Sequence, residues 1–165
     1  MKNEAILLLG GNIGMTRVYF LSICDQLEKR GTRVIRKSSL YSSPPWGFEA
    51  DQDFLNQALL VECDGDENNL LELILSIENY FGRERKDPNG HYESRVIDID
   101  ILSYGNKVIR EDHLILPHPR MHERKFALIP LKEIAPEWIH PSTGKKIEEL
   151  LADCSDKAEV KIVSE

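Results

Sequence analysis

Long apolar runs are missing from this chain: its hydrophobic stretches, such as Ala5-Ile6-Leu7-Leu8-Leu9, have strand length, far short of the roughly 20 residues of a membrane helix. No membrane partner is expected. A cysteine framework is missing too, since Cys24, Cys63 and Cys154 are an odd number without metal-ligand spacing, and they read as reduced packing residues of a cytosolic protein. Excess positive charge is also lacking. The formal net charge of −7 argues against nucleic acid as a partner, which needs a basic surface. Met1-Lys2-Asn3-Glu4 and the short run after it lack the length and cleavage pattern of a secretory leader, so a cytoplasmic location is expected. No repeat, linker or low-complexity stretch divides the 165 residues, and residues 1–165 are expected to form a single domain.

Ala5–Leu9 reads as a buried strand that ends in a Gly10-Gly11-Asn12-Ile13-Gly14 turn. That turn lacks the Gly-Lys-Ser/Thr ending of a Walker loop, so it reads as structural. Val18, Leu21, Cys24 and Leu27 recur at helical spacing, and Gly31 stands where a left-handed C-terminal cap is common. Thr32 to Tyr41 reads as the next strand. Leu55, Gln57, Leu59, Val61 and Cys63 alternate with Asn56, Ala58, Leu60 and Glu62 as a further strand, and Leu70, Leu73, Ile74, Ile77 and Phe81 mark an amphipathic helix. With the aspartate strand in the run Ser94–Leu102 the order becomes βαββαβ, which predicts an α+β, ferredoxin-like core of antiparallel sheet with helices on one face and C-terminal additions. Gly105-Asn106 reads as a hairpin turn and Met121 to Leu128 as a short helix. Residues 154–165 have no clear place.

The most informative chemistry is in Ser94-Arg95-Val96-Ile97-Asp98-Ile99-Asp100-Ile101-Leu102. On a strand, Ile97, Ile99 and Ile101 share one face and both carboxylates leave from the other, about 6.5 to 7 Å apart. Like charges so placed call for a cation, a proton or open water. Magnesium suits the position, because it takes hard oxygen ligands and often completes its octahedron with one or two carboxylates plus substrate phosphates. A solvated strand face is the plain alternative. Upstream, Pro88, Asn89 and Gly90 interrupt regular structure between Arg83, Arg85 and Arg95, a loop whose guanidinium forks suit a phosphate chain. An ordinary charged loop balancing Glu84, Asp87 and Glu93 is the alternative there.

Five segments, Leu7–Gly14, Ser39–Gly47, Asp53–Ala58, Arg95–Leu102 and Leu116–Phe126, together resemble the 6-hydroxymethyl-7,8-dihydropterin pyrophosphokinase family of folate biosynthesis, from about residue 5 to residue 136. The resemblance implies a ferredoxin-like fold and a magnesium-dependent transfer of diphosphate from ATP to the pterin hydroxymethyl oxygen, with release of AMP. It implies that Asp98 and Asp100 hold two magnesium ions and that Arg83, Arg85 and Arg95 serve catalysis with them. Glu78, Arg85, Arg95, Ile101, His118 and Arg124 take the ATP positions. Ser43, Pro45, Trp46, Phe54, Asn56 and Phe126 take the pterin positions, with Phe54 and Phe126 stacking on the ring and Asn56 and Ser43 meeting its polar edge. Gly11 stands where the family usually has serine, Ser43 where threonine is frequent, and His91-Tyr92-Glu93-Ser94 replaces the usual aromatic approach to Arg95.

Residue chemistry fits this implication. A flat heteroaromatic ring gains about 0.5 to 1.5 kcal/mol from each stacked aromatic pair, and an asparagine amide offers donor and acceptor together. Diphosphate transfer asks mainly for positioning and charge dispersal, so no obligatory general base is needed; Asp98 or Asp100 is placed to accept the alcohol proton. Small molecules are the only partners expected, and a monomer suffices. The rival reading is a ferredoxin-like small-ligand-binding or regulatory module without catalysis.

Overall fold

The computed structural model describes residues 2–12, 15–45, 53–81 and 97–163. In chain order it contains β1 (Asn3–Gly11), α1 (Thr16–Lys29), β2 (Thr32–Lys37), β3 (Tyr41–Ser43), β4 (Phe54–Cys63), α2 (Glu67–Tyr80) and β5 (Asp98–Tyr104). The hairpin β6 (Ile109–Glu111) and β7 (Leu114–Leu116) follows, then a 3₁₀ turn at Met121–Glu123, α3 (Lys125–Ile134), α4 (Ile147–Asp153) and β8 (Lys161–Ile162).

The main sheet is antiparallel in its described pairings and runs β5-β1-β4-β3-β8, with β2 also paired to β4. Alternation along β1 divides the interior in two. Ala5, Leu7 and Leu9 pack under α1 and α2, whereas Ile6 and Leu8 pack under α3 and α4. The helices inserted between the strands thus share one face, and the C-terminal helices cover the other.

Local chemistry explains the boundaries. Asp66 caps α2 by accepting from the Asn69 N–H at 3.0 Å while the Asn69 side chain accepts from the Asp66 N–H at 2.9 Å, which satisfies two donors that a helix start leaves open. Leu70, Ile74 and Ile77 are then buried, each stabilising by about 1.5–3 kcal/mol relative to exposure. Gly31, with φ of +89°, stands just beyond α1 in the left-handed conformation that favours glycine.

Several expectations need correction. The buried stripe of α1 is Thr16, Phe20, Ile23 and Leu27, while Val18 and Leu21 are 49% and 63% exposed; Phe20 and Ile23 reach the sheet, and the stripe read from Val18 is rotated from it. With Met15, these two leave an apolar strip in solvent. Gly10 and Gly11 lie inside β1, paired with Asn56 and Leu55, rather than in a turn. The strand expected over Thr32 to Tyr41 is two strands, β2 and β3. Gly105 does turn the chain, but the hairpin that follows is closed between Glu111 and Leu114. The helix expected at Met121 to Leu128 is a 3₁₀ turn followed by the longer α3.

Cys24, Cys63 and Cys154 are free thiols, and burial raises the pKa of Cys24 and Cys63, which makes them poor nucleophiles. Among the described residues no helix is long and apolar enough to cross a membrane.

Candidate active site

The site is built on the α3 side of the sheet, at one end of its central strands. Asp98 pairs with Gly10, Gly10 with Asn56, and Asn56 with Tyr41, so one row crosses β5, β1, β4 and β3. Asp100 stands one step along, paired with Leu8. Because paired residues share a face, both aspartates point with Asn56 and Gly10 toward the α3 side, while Ile97, Ile99 and Ile101 enter the opposite core. Glycine in the middle of this row leaves an open floor between the first aspartate and the amide.

Each polar group has a defined support. Asn56 and Ser43 are both 2% exposed, and the Asn56 Nδ2 donates to Ser43 Oγ at 2.8 Å, which leaves the amide oxygen as an acceptor. Phe54 pairs with Ser43 across β3 and β4 and so lies on the same face. Glu78, 3% exposed at the end of α2, accepts from the N–H of Ile99 at 2.9 Å. Its carboxylate therefore holds the peptide between the two aspartates on the edge strand β5.

From the other side comes the start of α3. Arg124 Nη1 lies 3.8 Å from Asp100 Oδ2, with the two side chains 8% and 26% exposed, and the guanidinium stands 5.7 Å from the centre of the Phe126 ring. His118 follows a cis Leu116–Pro117 bond; its N–H donates to Leu102 O at 2.9 Å, which ties this turn to β5, and its Nδ1 accepts from the Arg120 N–H at 3.1 Å. That bond leaves the proton of the neutral ring on Nε2. Burial holds the His118 pKa below its ordinary value, opposed by the Asp100 charge and reinforced by Arg124 and Arg120.

A half-buried histidine with a lowered pKa takes up its proton in the unfolded chain first. Stability is thus retained above about pH 6.5 and lost as the pH falls from there through the lowered folded value. Urea unfolding between pH 7 and 5 is expected to show this loss, and His118→Gln should make the dependence shallower; equal slopes in both proteins would contradict it.

The structure thus brings together Asp98, Asp100, Asn56, Ser43, Phe54, Phe126, Arg124 and His118, with Glu78 behind them. Ile101 is different, because its side chain packs in the core under α2 and only its main chain is left for a ligand. Pro45 lies just beyond β3 and is half-buried. Trp46, Arg83, Arg85, Arg95 and the loop expected over residues 86–94 lie outside the described residues. The sequence around Gly10 suggests only a turn; its place in the row is revealed by its pairing with Asn56.

Among the described residues no three His, Cys, Asp or Glu side chains stand close enough to enclose a metal. Two half-buried carboxylates on one strand face are instead a partial set of hard oxygen donors, the kind magnesium completes with water and substrate phosphates.

Residues 6–136 match the model of the 7,8-dihydro-6-hydroxymethylpterin-pyrophosphokinase (HPPK) family. The chain belongs to the HPPK family. It is 41% identical over 151 residues to the 2-amino-4-hydroxy-6-hydroxymethyldihydropteridine pyrophosphokinase of Methylorubrum extorquens, covering 90% of this chain and 92% of that one. It is 36% identical over 148 residues to the folic acid synthesis protein fol1 of Pneumocystis carinii, covering 89% of this chain but only 20% of that longer protein. The solved structure of wild-type Plasmodium falciparum HPPK-DHPS with pteroate has the same fold, with a TM-score of 0.74 at 17% identity over 92% of this chain and 44% of that one. The five sequence segments that carried the resemblance all lie within or at the edge of the matched HPPK region.

Proposed function

We propose that this HPPK-family chain transfers the terminal diphosphate of ATP to the hydroxymethyl oxygen of 6-hydroxymethyl-7,8-dihydropterin, forming the pterin diphosphate and AMP, in folate biosynthesis. One observation carries the reading: Asp98 faces the Asn56–Ser43 pair across Gly10, Asp100 stands one step along on the same sheet face, and the start of α3 brings Arg124 and Phe126 over that face. A phosphate-handling end and a flat polar-edged slot are thereby adjacent. The sheet order β5-β1-β4 with β2 outside it, and α1 and α2 on one face, supports reading the core as ferredoxin-like.

Within this reading Asn56 orients the pterin through its amide edge, and Ser43 holds that amide in place. Phe54 and Phe126 stack on the ring and exclude water. Asp98 and Asp100 hold two magnesium ions, which when bound disperse phosphate charge and orient the attacking oxygen. Arg124 adds positive charge beside Asp100, and neutral His118 presents an Nε2 N–H to the nucleotide. Glu78 keeps the strand carrying both aspartates in register. Arg83, Arg85 and Arg95 complete the phosphate cradle as in the family. A cytoplasmic monomer acting on small molecules fits this chemistry.

Incubation with magnesium and ATP should release AMP only when the hydroxymethyl pterin is added. A non-catalytic ligand-binding module would bind pterin or nucleotide and release none. For the slot itself, Phe126→Ala and Phe54→Ala should weaken pterin binding about tenfold, the loss of one stacked face with its contact area, with a smaller effect on ATP. Equal losses for both ligands by calorimetry would point to ordinary packing.

A further inference from the structure

Residues 154–163 follow the matched HPPK region and had no place in the sequence reading, yet they touch both walls of the candidate pterin slot. Asp156 Oδ2 accepts from the N–H of Lys125 at 3.1 Å, the first residue of α3, between Arg124 and Phe126. The N-cap residue Arg124 makes no side-chain cap hydrogen bond, and a carboxylate there also suits the positive end of the helix dipole. Asp156 is itself fixed, because its Oδ1 accepts from the Ala158 N–H at 2.9 Å. The chain then reaches β3, where Ile162 pairs with Tyr41 and Lys161 with Ser42, and the Val163 N–H donates to Leu40 O at 2.9 Å. This closes the edge of the strand that ends in Ser43.

We propose that residues 154–163 form a strap that sets the spacing of the pterin slot, with Asp156 as a positioning residue for Arg124 and Phe126. The proposal rests on the pterin reading given above. The strap joins the α3 wall, through the Lys125 N–H, to the Ser43 wall, through β8. The far end of α3 is held separately: Glu133 accepts from Tyr41 Oη at 2.5 Å and from the Ser39 N–H at 2.8 Å. Losing the Asp156 cap therefore loosens only the slot end of α3 and leaves the helix on the sheet. A residue that acts in this way changes pterin recognition without touching the pterin.

Steady-state kinetics on the full chain separates the possibilities. Asp156→Ala is expected to raise the KM for the hydroxymethyl pterin about three- to tenfold, the range for a lost helix cap, while Asp156→Asn, which keeps an acceptor oxygen, stays near the wild type. Val163→Pro removes the N–H that reaches Leu40 and should raise the pterin KM similarly with the KM for ATP unchanged. Phe126→Ala, measured in parallel, reports on the slot itself. Wild-type pterin KM in both Asp156→Ala and Val163→Pro, beside a raised KM in Phe126→Ala, overturns the strap and leaves the slot standing. Wild-type KM in Phe126→Ala overturns the slot assignment and the strap with it. An equal rise for pterin and ATP in Val163→Pro, with a lowered Tm, is general loosening and also overturns the strap.

Discussion

Replacing Asp98 or Asp100 by asparagine is expected to lower diphosphate transfer about a thousandfold, the scale of losing several kcal/mol of metal-assisted charge stabilisation, with a far smaller effect on thermal stability. The two halves of this expectation come from the same strand. Ile97, Ile99 and Ile101 supply its buried contacts, and the aspartates face away from that core, so asparagine keeps the shape and removes only the charge. Two half-buried carboxylates two residues apart also repel each other. Neutralising one relieves that repulsion. Asp100→Asn also gives up the charge partner of the largely buried Arg124, so that variant is expected to unfold slightly below the wild-type temperature. Turnover followed across a magnesium titration, alongside thermal unfolding, checks both halves. Near-wild-type turnover in either variant at saturating magnesium would remove the aspartates from the reaction.

The faces of the central strands were legible because alternation is a local property. Leu55, Leu59, Val61 and Cys63 pack on one side of β4, and Asn56 and Ala58 on the other, as their spacing implies. The paired aspartates were legible for the same reason. Helix α1 was harder, because its sequence offers two overlapping apolar stripes and only the sheet beneath decides between Phe20–Ile23 and Val18–Leu21. What remained hidden depends on partners far away in the chain. Glu133 reads as a surface acid until it meets Tyr41 and Ser39, 92 and 94 residues earlier. Asp156 sits in a polar tail until it meets Lys125, 31 residues before it. The two-residue β8 has too few residues to show any period, and its existence rests on an edge of β3 that the local sequence does not reveal. Glu78 combines both cases: its helix was legible, but not its hold on the peptide between the aspartates.

Gly10→Val is expected to leave the fold intact and to weaken pterin binding by something on the order of tenfold to a hundredfold, the cost of forcing bulk into a filled space. A Cβ at this position would meet Asn56 Oδ1 at 3.7 Å and Leu55 O at 3.9 Å, ordinary contact distances, and Gly10 has no positive φ that would strain an L-residue. Alanine therefore fits the strand. Valine fits it better still as a backbone former, since β-branched residues favour strands and glycine weakens them. Its methyl groups, however, extend past Cβ into the floor between Asp98 and Asn56, where in the proposed reading the hydroxymethyl arm passes from the amide slot to the phosphates. Stability and binding should consequently move in opposite directions: Tm unchanged or raised, pterin affinity lowered, and ATP affinity affected less. Gly10→Ala should lie between, within about fourfold of the wild type, since a single methyl group is worth roughly 0.8 kcal/mol. Calorimetric titration of the three proteins with the hydroxymethyl pterin decides the matter. If Gly10→Val binds as tightly as the wild type, the pterin does not cross this row, and the link between the amide slot and the aspartates has to be sought on another path.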